Sequence, residues 1–202
     1  GIYNQVSPTF TFTRPSPAIH PETGAEVPAD TPIFMTFADN KKGLLMEEET
    51  ENLLPVNMLK FENGNVGAGV DIIITQGQSV PEWGTNEATR IQTFGGSTST
   101  KYTLPIGYIS ELNQEYTGSV YLKNIGINTI MLDINPGGNI LVLPEEAIRA
   151  TVSGVGNDIS WLSLRIRAVN IGDSLDLIAW QPQLEQKPYP TTFTVGTRAN
   201  PT

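Results

Sequence analysis

Polar and apolar residues alternate most clearly near the end of the chain. Trp161, Ser163, Arg165 and Arg167 fall on one side of an extended strand, and Leu162, Leu164, Ile166 and Ala168 on the other. This predicts a strand from Trp161 to Val169 with one face in a core and the other toward solvent or a partner. A one-residue slip would expose the leucine face, so the register should be firmly set. Glu115 to Leu122 alternates in the same way, with Tyr116, Gly118, Val120 and Leu122 on one face and Thr117, Ser119 and Tyr121 on the other. Further strand-like runs are Asp71–Thr75, Glu87–Phe94, Thr100–Leu104, Thr129–Ile134, Ile140–Leu143, Ala147–Val152 and Leu175–Gln181. Turn residues such as Gly95-Gly96-Ser97 and Asn135-Pro136-Gly137-Gly138 separate them. About nine strands at spacings of roughly 8 to 14 residues, with no helices between them, predict an all-β fold. Two antiparallel sheets packed face to face, a jelly-roll-like β-sandwich, satisfy that pattern.

Residues 1–54 read differently. Pro8, Pro15, Pro17, Pro21, Pro28 and Pro32 keep this stretch extended. Short strands are predicted at Thr9–Thr13 and Ile33–Phe37, a turn at Asp39–Gly43, and at most one helical turn between Met46 and Leu54. Such an extended segment does not easily form a core alone. It is expected to pack on the sandwich, residues 55–202, or on a neighbouring subunit.

Composition narrows the function. Of 202 residues only 16% are charged, so Thr, Asn, Ser and Gln must carry the surface polarity, as in many extracellular β-proteins. The net charge is −9 and the basic residues are dispersed along the sequence, which argues against nucleic acid. The absence of cysteine excludes disulfides, thiol catalysis and thiolate metal sites. No apolar run is long enough to insert in a membrane. The chain begins at Gly1 rather than Met, which suits a fragment or a processed product, and no export signal is recognisable.

Chemistry-bearing residues are few. His20 is the only histidine and lies in a proline-rich stretch, so it reads as a surface residue rather than part of a triad or zinc site. The run Glu47-Glu48-Glu49-Thr50-Glu51 reads as a solvated face, because consecutive carboxylates rarely flank one cleft as glycoside hydrolysis demands. The glycine pairs lack the lysine and helix of a phosphate loop. No catalytic residue is assigned, and the chain is expected not to be an enzyme. Aromatic side chains in loops are candidate sugar platforms, since a ring packs on the apolar face of a pyranose. Trp83, in Pro81-Glu82-Trp83-Gly84, and Tyr108, in Pro105-Ile106-Gly107-Tyr108, are the candidates. The commoner fate of such rings is to cap the edge of a core. Trp180 reads as core.

Two widely separated segments carry a resemblance. One is Gly43-Leu44-Leu45-Met46-Glu47-Glu48-Glu49-Thr50-Glu51-Asn52-Leu53-Leu54. The other is Ala179-Trp180-Gln181-Pro182-Gln183-Leu184-Glu185 with Pro190-Thr191-Thr192-Phe193 and Gly196-Thr197-Arg198. With Phe12-Thr13-Arg14-Pro15-Ser16 and Tyr116-Thr117-Gly118-Ser119-Val120-Tyr121-Leu122-Lys123-Asn124, they resemble a module of bacteriophage tail-fibre, tail-spike and head-fibre proteins. The resemblance implies a virion-surface β-sandwich, homotrimeric and joined to other virion proteins, that binds host surface polysaccharide. The alternative is a capsid-decoration or fibre-joining domain without a sugar ligand; an accessory role beside a depolymerase would need a catalytic domain elsewhere. Lys60-Phe61-Glu62-Asn63-Gly64 is similar to the opening of jelly-roll carbohydrate-binding modules, whose glutamate lies near a structural calcium. That would place Glu62 with Asp176 or Asp173 around calcium, an ion that takes six to eight oxygens. The tryptophan expected a few residues later is missing at Asn65-Val66-Gly67-Ala68-Gly69, which counts against the carry-over.

Overall fold

The structure is a computed structural model that describes residues 18–20, 26–28, 31–36, 42–44, 50–95, 101–191, 193 and 197–198. The expected strand Thr9–Thr13, the segment Phe12–Ser16 and the carboxylates of Glu47–Glu49 lie outside the described residues. Five short strands come first: β1 (Ala18–Ile19), β2 (Glu26–Val27), β3 (Phe34–Thr36), β4 (Lys42–Leu44) and β5 (Thr50–Glu51). Next are β6 (Asn65–Val66), β7 (Val70–Val80), β8 (Thr85–Gly95), β9 (Lys101–Ile109) and β10 (Glu115–Asn124). The remainder are β11 (Ile130–Asn135), β12 (Asn139–Val142), β13 (Ala147–Val155), β14 (Trp161–Ala168), β15 (Asp176–Glu185) and β16 (Thr197–Arg198). The only helical pieces among the described residues are single 3-10 turns at Val56–Met58 and Pro81–Trp83.

Ten of these strands form two antiparallel sheets, the expected all-β sandwich with jelly-roll-like strand exchange. One sheet runs β13-β10-β15-β8-β7 and the other β12-β11-β14-β9-β6. The alternation read from sequence places the core between them. Leu162, Leu164, Ile166 and Ala168 of β14 are each 1% exposed and meet Tyr116, Val120 and Leu122 of β10. Leu132 and Ile134 of β11, Leu177 and Ala179 of β15, and Tyr102 and Leu104 of β9 belong to the same core. Gly118 packs under the facing sheet: a Cβ there would stand 2.5 Å from Leu164 Cδ1, so any side chain forces Leu164 to shift.

Two strands run further than their patterns suggest. β15 continues past Gln181 because a bulge re-aims its second half. Pairing with β10 shifts by one residue between Ser119↔Gln183 and Tyr121↔Trp180, and Gln181 has φ of 50°. The shift exchanges the faces, so Leu184 points into the core although it is out of phase with Leu177 and Ala179. β9 continues through Pro105 because β6 covers only Tyr102 and Thr103, leaving an open edge where proline needs no N–H partner.

The far end of the N-terminal segment is built into the sandwich. Thr50–Glu51, where a helical turn was conceivable, is instead a strand paired with Thr197–Arg198. Leu53 N–H bonds Leu184 O at 2.7 Å, and Leu54 is buried in the main core. Asn52 bridges the two segments: its Nδ2 donates to Pro182 O at 3.1 Å, and its Oδ1 accepts from Leu184 N at 3.1 Å and Leu54 N at 3.2 Å. Glu185, fully buried, accepts from the Thr50 hydroxyl, from Thr191 Oγ1 at 2.6 Å and from Thr191 N at 3.0 Å. A buried carboxylate needs such donors, since its desolvation is otherwise costly.

Candidate functional site

The outer faces of the two sheets differ. The outer face of the β10-containing sheet is covered. At one end the strap after β15 crosses it, with Thr117 Oγ1 donating to Lys187 O at 2.8 Å and Arg149 donating to Thr191 O. At the other, the turn Pro81–Trp83 folds back over it, closed by Gly84 in the left-handed conformation at φ 64°. Thr117, Ser119 and Tyr121 are therefore buried as well, and both tyrosines of β10 lie inside packed clusters.

Trp83, expected as a loop platform for sugar, belongs to that cover. It is 5% exposed, its ring stacked on Trp180 at 6.4 Å and 9° and tilted against Tyr121 at 5.5 Å. Packing with Tyr121, Val80 and Ala88 occupies the ring, which has no face left for a ligand. Trp180 belongs to this outer cluster, partly buried, and not to the inter-sheet core. Two cations on this face are paired with carboxylates: Arg90 holds Asp176 through two bonds of 2.9 and 2.8 Å, and Lys123 holds Glu82 at 2.6 Å.

The Arg90 pair bears on calcium. Both oxygens of Asp176 already face a guanidinium, and Gln92 Nε2 approaches one of them at 3.3 Å. Glu62 is exposed beside Tyr102, on the other sheet, and Asp173 accepts from Asn170 Nδ2 at 2.9 Å. Among the described residues no three His, Cys, Asp or Glu side chains gather as metal ligands, so the expected set does not fit a calcium ion. The Phe61 turn is instead anchored to the core. Phe61 is 1% exposed, and the Tyr102 hydroxyl donates to Phe61 O while accepting from Gly64 N at 3.0 Å. Burial pushes the Tyr102 phenol up to about 12.

Tyr108 is 42% exposed. It lies in the Ile106–Tyr108 stretch of β9 that loops out between the pairs Ser163↔Pro105 and Trp161↔Ile109. Its phenol is pushed up to about 12 by partial burial, then by Tyr116, Glu51 and Glu111. Tyr108 is thus an accessible ring at an acidic edge. His20, a lone loop histidine, lies with Nε2 3.2 Å from Phe34 O.

The outer face of the second sheet is different in kind. Trp161, first residue of β14, is 61% exposed. Below it on the same face are Ser163, Arg165 and Arg167, with Asp133 of β11 opposite Arg165 and Met131 opposite Arg167. Asn135 and Thr103 occupy the flanking positions opposite Ser163 and Arg165. Asp133 is 2% exposed and sits between both arginines. Its Oδ1 bonds Arg165 Nε, and its Oδ2 lies 2.5 Å from Arg167 Nε in a charge contact whose N–H is not aimed at the oxygen. Sequence reasoning placed Trp161 in a strand and ranked loop aromatics above it. The alternation of β14 already carried the signal that it faces outward; only the tertiary structure, which leaves the ring 61% exposed, turns that into a platform. An exposed indole beside amide and guanidinium groups can stack a sugar ring while bonding its hydroxyls.

The strand layout defines the chain as a two-sheet antiparallel sandwich of the jelly-roll type. No protein-family model matches the sequence, and no curated protein matches it. Solved structures with similar layout include the CBM22-1 xylan-binding domain from Paenibacillus barcinonensis, 12% identical over 68% of this chain and 93% of that one, at a TM-score of 0.47. Another is the family 11 carbohydrate-binding module of a Clostridium thermocellum cellulosomal cellulase, 10% identical over 70% of this chain and 96% of that one, TM-score 0.43. A third is the enzymatically active domain of bacteriophage CBA120 tailspike protein 4, 12% identical over 66% of this chain and 21% of that one, TM-score 0.46.

Proposed function

We propose that this chain is a non-catalytic module that binds polysaccharide through the outer face of the β12-β11-β14-β9-β6 sheet. The observation that carries the reading is Trp161, 61% exposed on the polar outer face of this sheet. Tyr108, accessible at the neighbouring edge, is a second contact. Trp83 is a structural residue in this reading. The setting we infer is a bacteriophage virion surface, in a tail or head fibre, with host cell-surface or cell-wall polysaccharide as the ligand. Support comes from the resemblance of the two terminal motifs, which meet in space as one clasp through Asn52 and Glu185. A single face of this size binds in the millimolar to micromolar range. A homotrimeric fibre in several copies would raise avidity without new contacts.

The test is glycan-array binding by the whole chain beside Trp161→Ala. Binding that survives this change, with the fold intact, removes the proposed face. A second reading, a decoration or fibre-joining domain contacting other virion proteins, is favoured by the exposed Ile127 (91%) and Ile171 (74%) at one end of the sandwich. It predicts a folded oligomer that binds no glycan.

A further inference from the structure

We infer that the ligand of this face is an anionic polysaccharide, one carrying carboxylate or phosphate groups. The inference rests on the sugar-binding reading and deepens it. At the outward positions of β11 and β14 the charged residues are Arg165 and Arg167 against the single carboxylate of Asp133. The face is therefore cationic on a protein of net charge −9. On the opposite outer face Arg90 is matched by Asp176 and Lys123 by Glu82, while Arg149 donates to Ser119 Oγ and Thr191 O and lies over the Tyr121 ring.

The guanidinium geometry points the same way. Asp133 is buried and engages both arginines at Nε only. The terminal Nη groups of Arg165 and Arg167 have no hydrogen-bond partner among the described residues. Their side chains are 26% and 35% exposed. One buried carboxylate thus fixes two forks with their outer donors free. Such a fork matches a carboxylate or phosphate oxygen pair. A neutral glycan does not need two adjacent guanidiniums, and desolvating them without a counter-charge is unfavourable. At about 3.3 Å per residue, Arg165 lies roughly 13 Å along the strand from Trp161, room for a sugar on the indole and an acidic group on the arginines. At physiological salt the screening length is about 8 Å, so the distant acidic surface does not cancel the local field.

The experiment measures binding of the full chain to four probes at 150 mM salt, roughly physiological ionic strength. These are polygalacturonate, its fully methyl-esterified form, a phosphomannan and single-stranded DNA. The expected result is binding to one or both anionic glycans, at least about tenfold weaker for the esterified form. Which of the two binds identifies carboxylate or phosphate as the source. Arg167→Gln, with an unchanged thermal midpoint, should weaken that binding at least about tenfold. Asp133→Asn should strengthen it and steepen its salt dependence, because it removes the competing charge while keeping an acceptor for Arg165; a merely structural Asp133 would give no gain. Equal binding to the esterified and free forms overturns the inference and leaves sugar binding standing. Trp161-dependent binding to a neutral glycan with none to either anion does the same. No binding to any glycan overturns both readings. Preferential binding to DNA through the same arginines overturns the glycan assignment.

Discussion

Replacing Asn52 with alanine removes the side chain that ties the two terminal segments together. Asn52 is 4% exposed, and among the described residues its side chain makes three hydrogen bonds, to Pro182 O, Leu184 N and Leu54 N, at 3.1, 3.1 and 3.2 Å. All three partners are backbone groups, two on β15 or its bulge and one on the Asn52 segment itself. Alanine leaves two buried N–H groups and one carbonyl without this partner, each worth about 1–3 kcal/mol. Some of these groups gain water when the cavity opens, so the expected loss is about 3–5 kcal/mol. For a chain of this size that is a fall of roughly 10 °C in the thermal midpoint. Urea titration followed by tryptophan fluorescence measures it. The slope should stay constant while the midpoint drops, because the surface exposed on unfolding is the same. Asn63→Ala is the control. Asn63 is exposed and makes one bond, to Asn57 O at 2.9 Å, so its loss should stay within about 0.5 kcal/mol. A loss below about 1 kcal/mol for Asn52→Ala at constant slope would refute the clasp as a source of stability.

Other expectations follow from packing and titration. Gly118→Ala forces a methyl into Leu164 and should cost about 1–3 kcal/mol; in a Leu164→Ala background the added cost should largely vanish, which a double-mutant cycle reads directly. Trp83→Ala should lower stability by about 3–5 kcal/mol without altering glycan binding, whereas Trp161→Ala should abolish binding at a stability cost within about 0.5 kcal/mol. Tyr102 titrates at about 12 when folded, above its ordinary value of 10, so its contribution is complete below pH 10 and is lost as pH rises toward 12. Alkaline unfolding curves of the protein and Tyr102→Phe should therefore converge over that interval; parallel curves would contradict a buried, protonated phenol.

How much of this could be read from the chain depends on the length scale involved. The inward row Leu162, Leu164, Ile166, Ala168 and the row Tyr116, Gly118, Val120, Leu122 were legible because strand side chains alternate with a period of two. The bulge at Gln181 was not, since nothing in Gln181-Pro182 announces that Leu184 changes phase. Trp83 was misplaced for a related reason: its polar neighbours describe a turn, but not that the turn folds back onto Trp180 and Tyr121. Asp176 was drawn toward calcium by its place in the sequence, while its carboxylate belongs to Arg90, a residue on the adjacent strand β8.

The sequence by itself determined the all-β class, the two-sheet core and the outward row of Trp161, Ser163, Arg165 and Arg167. These follow from local alternation and turn chemistry, which act over a few residues. Only the tertiary structure decided which outer face is covered and which is open. It also decided that Asp133, far from Arg165 and Arg167 in sequence, would lie between them. Those outcomes depend on strand order, on a bulge and on where the segment after β15 crosses its sheet. Each is set by the global balance of burial and hydrogen bonding, which no local pattern encodes.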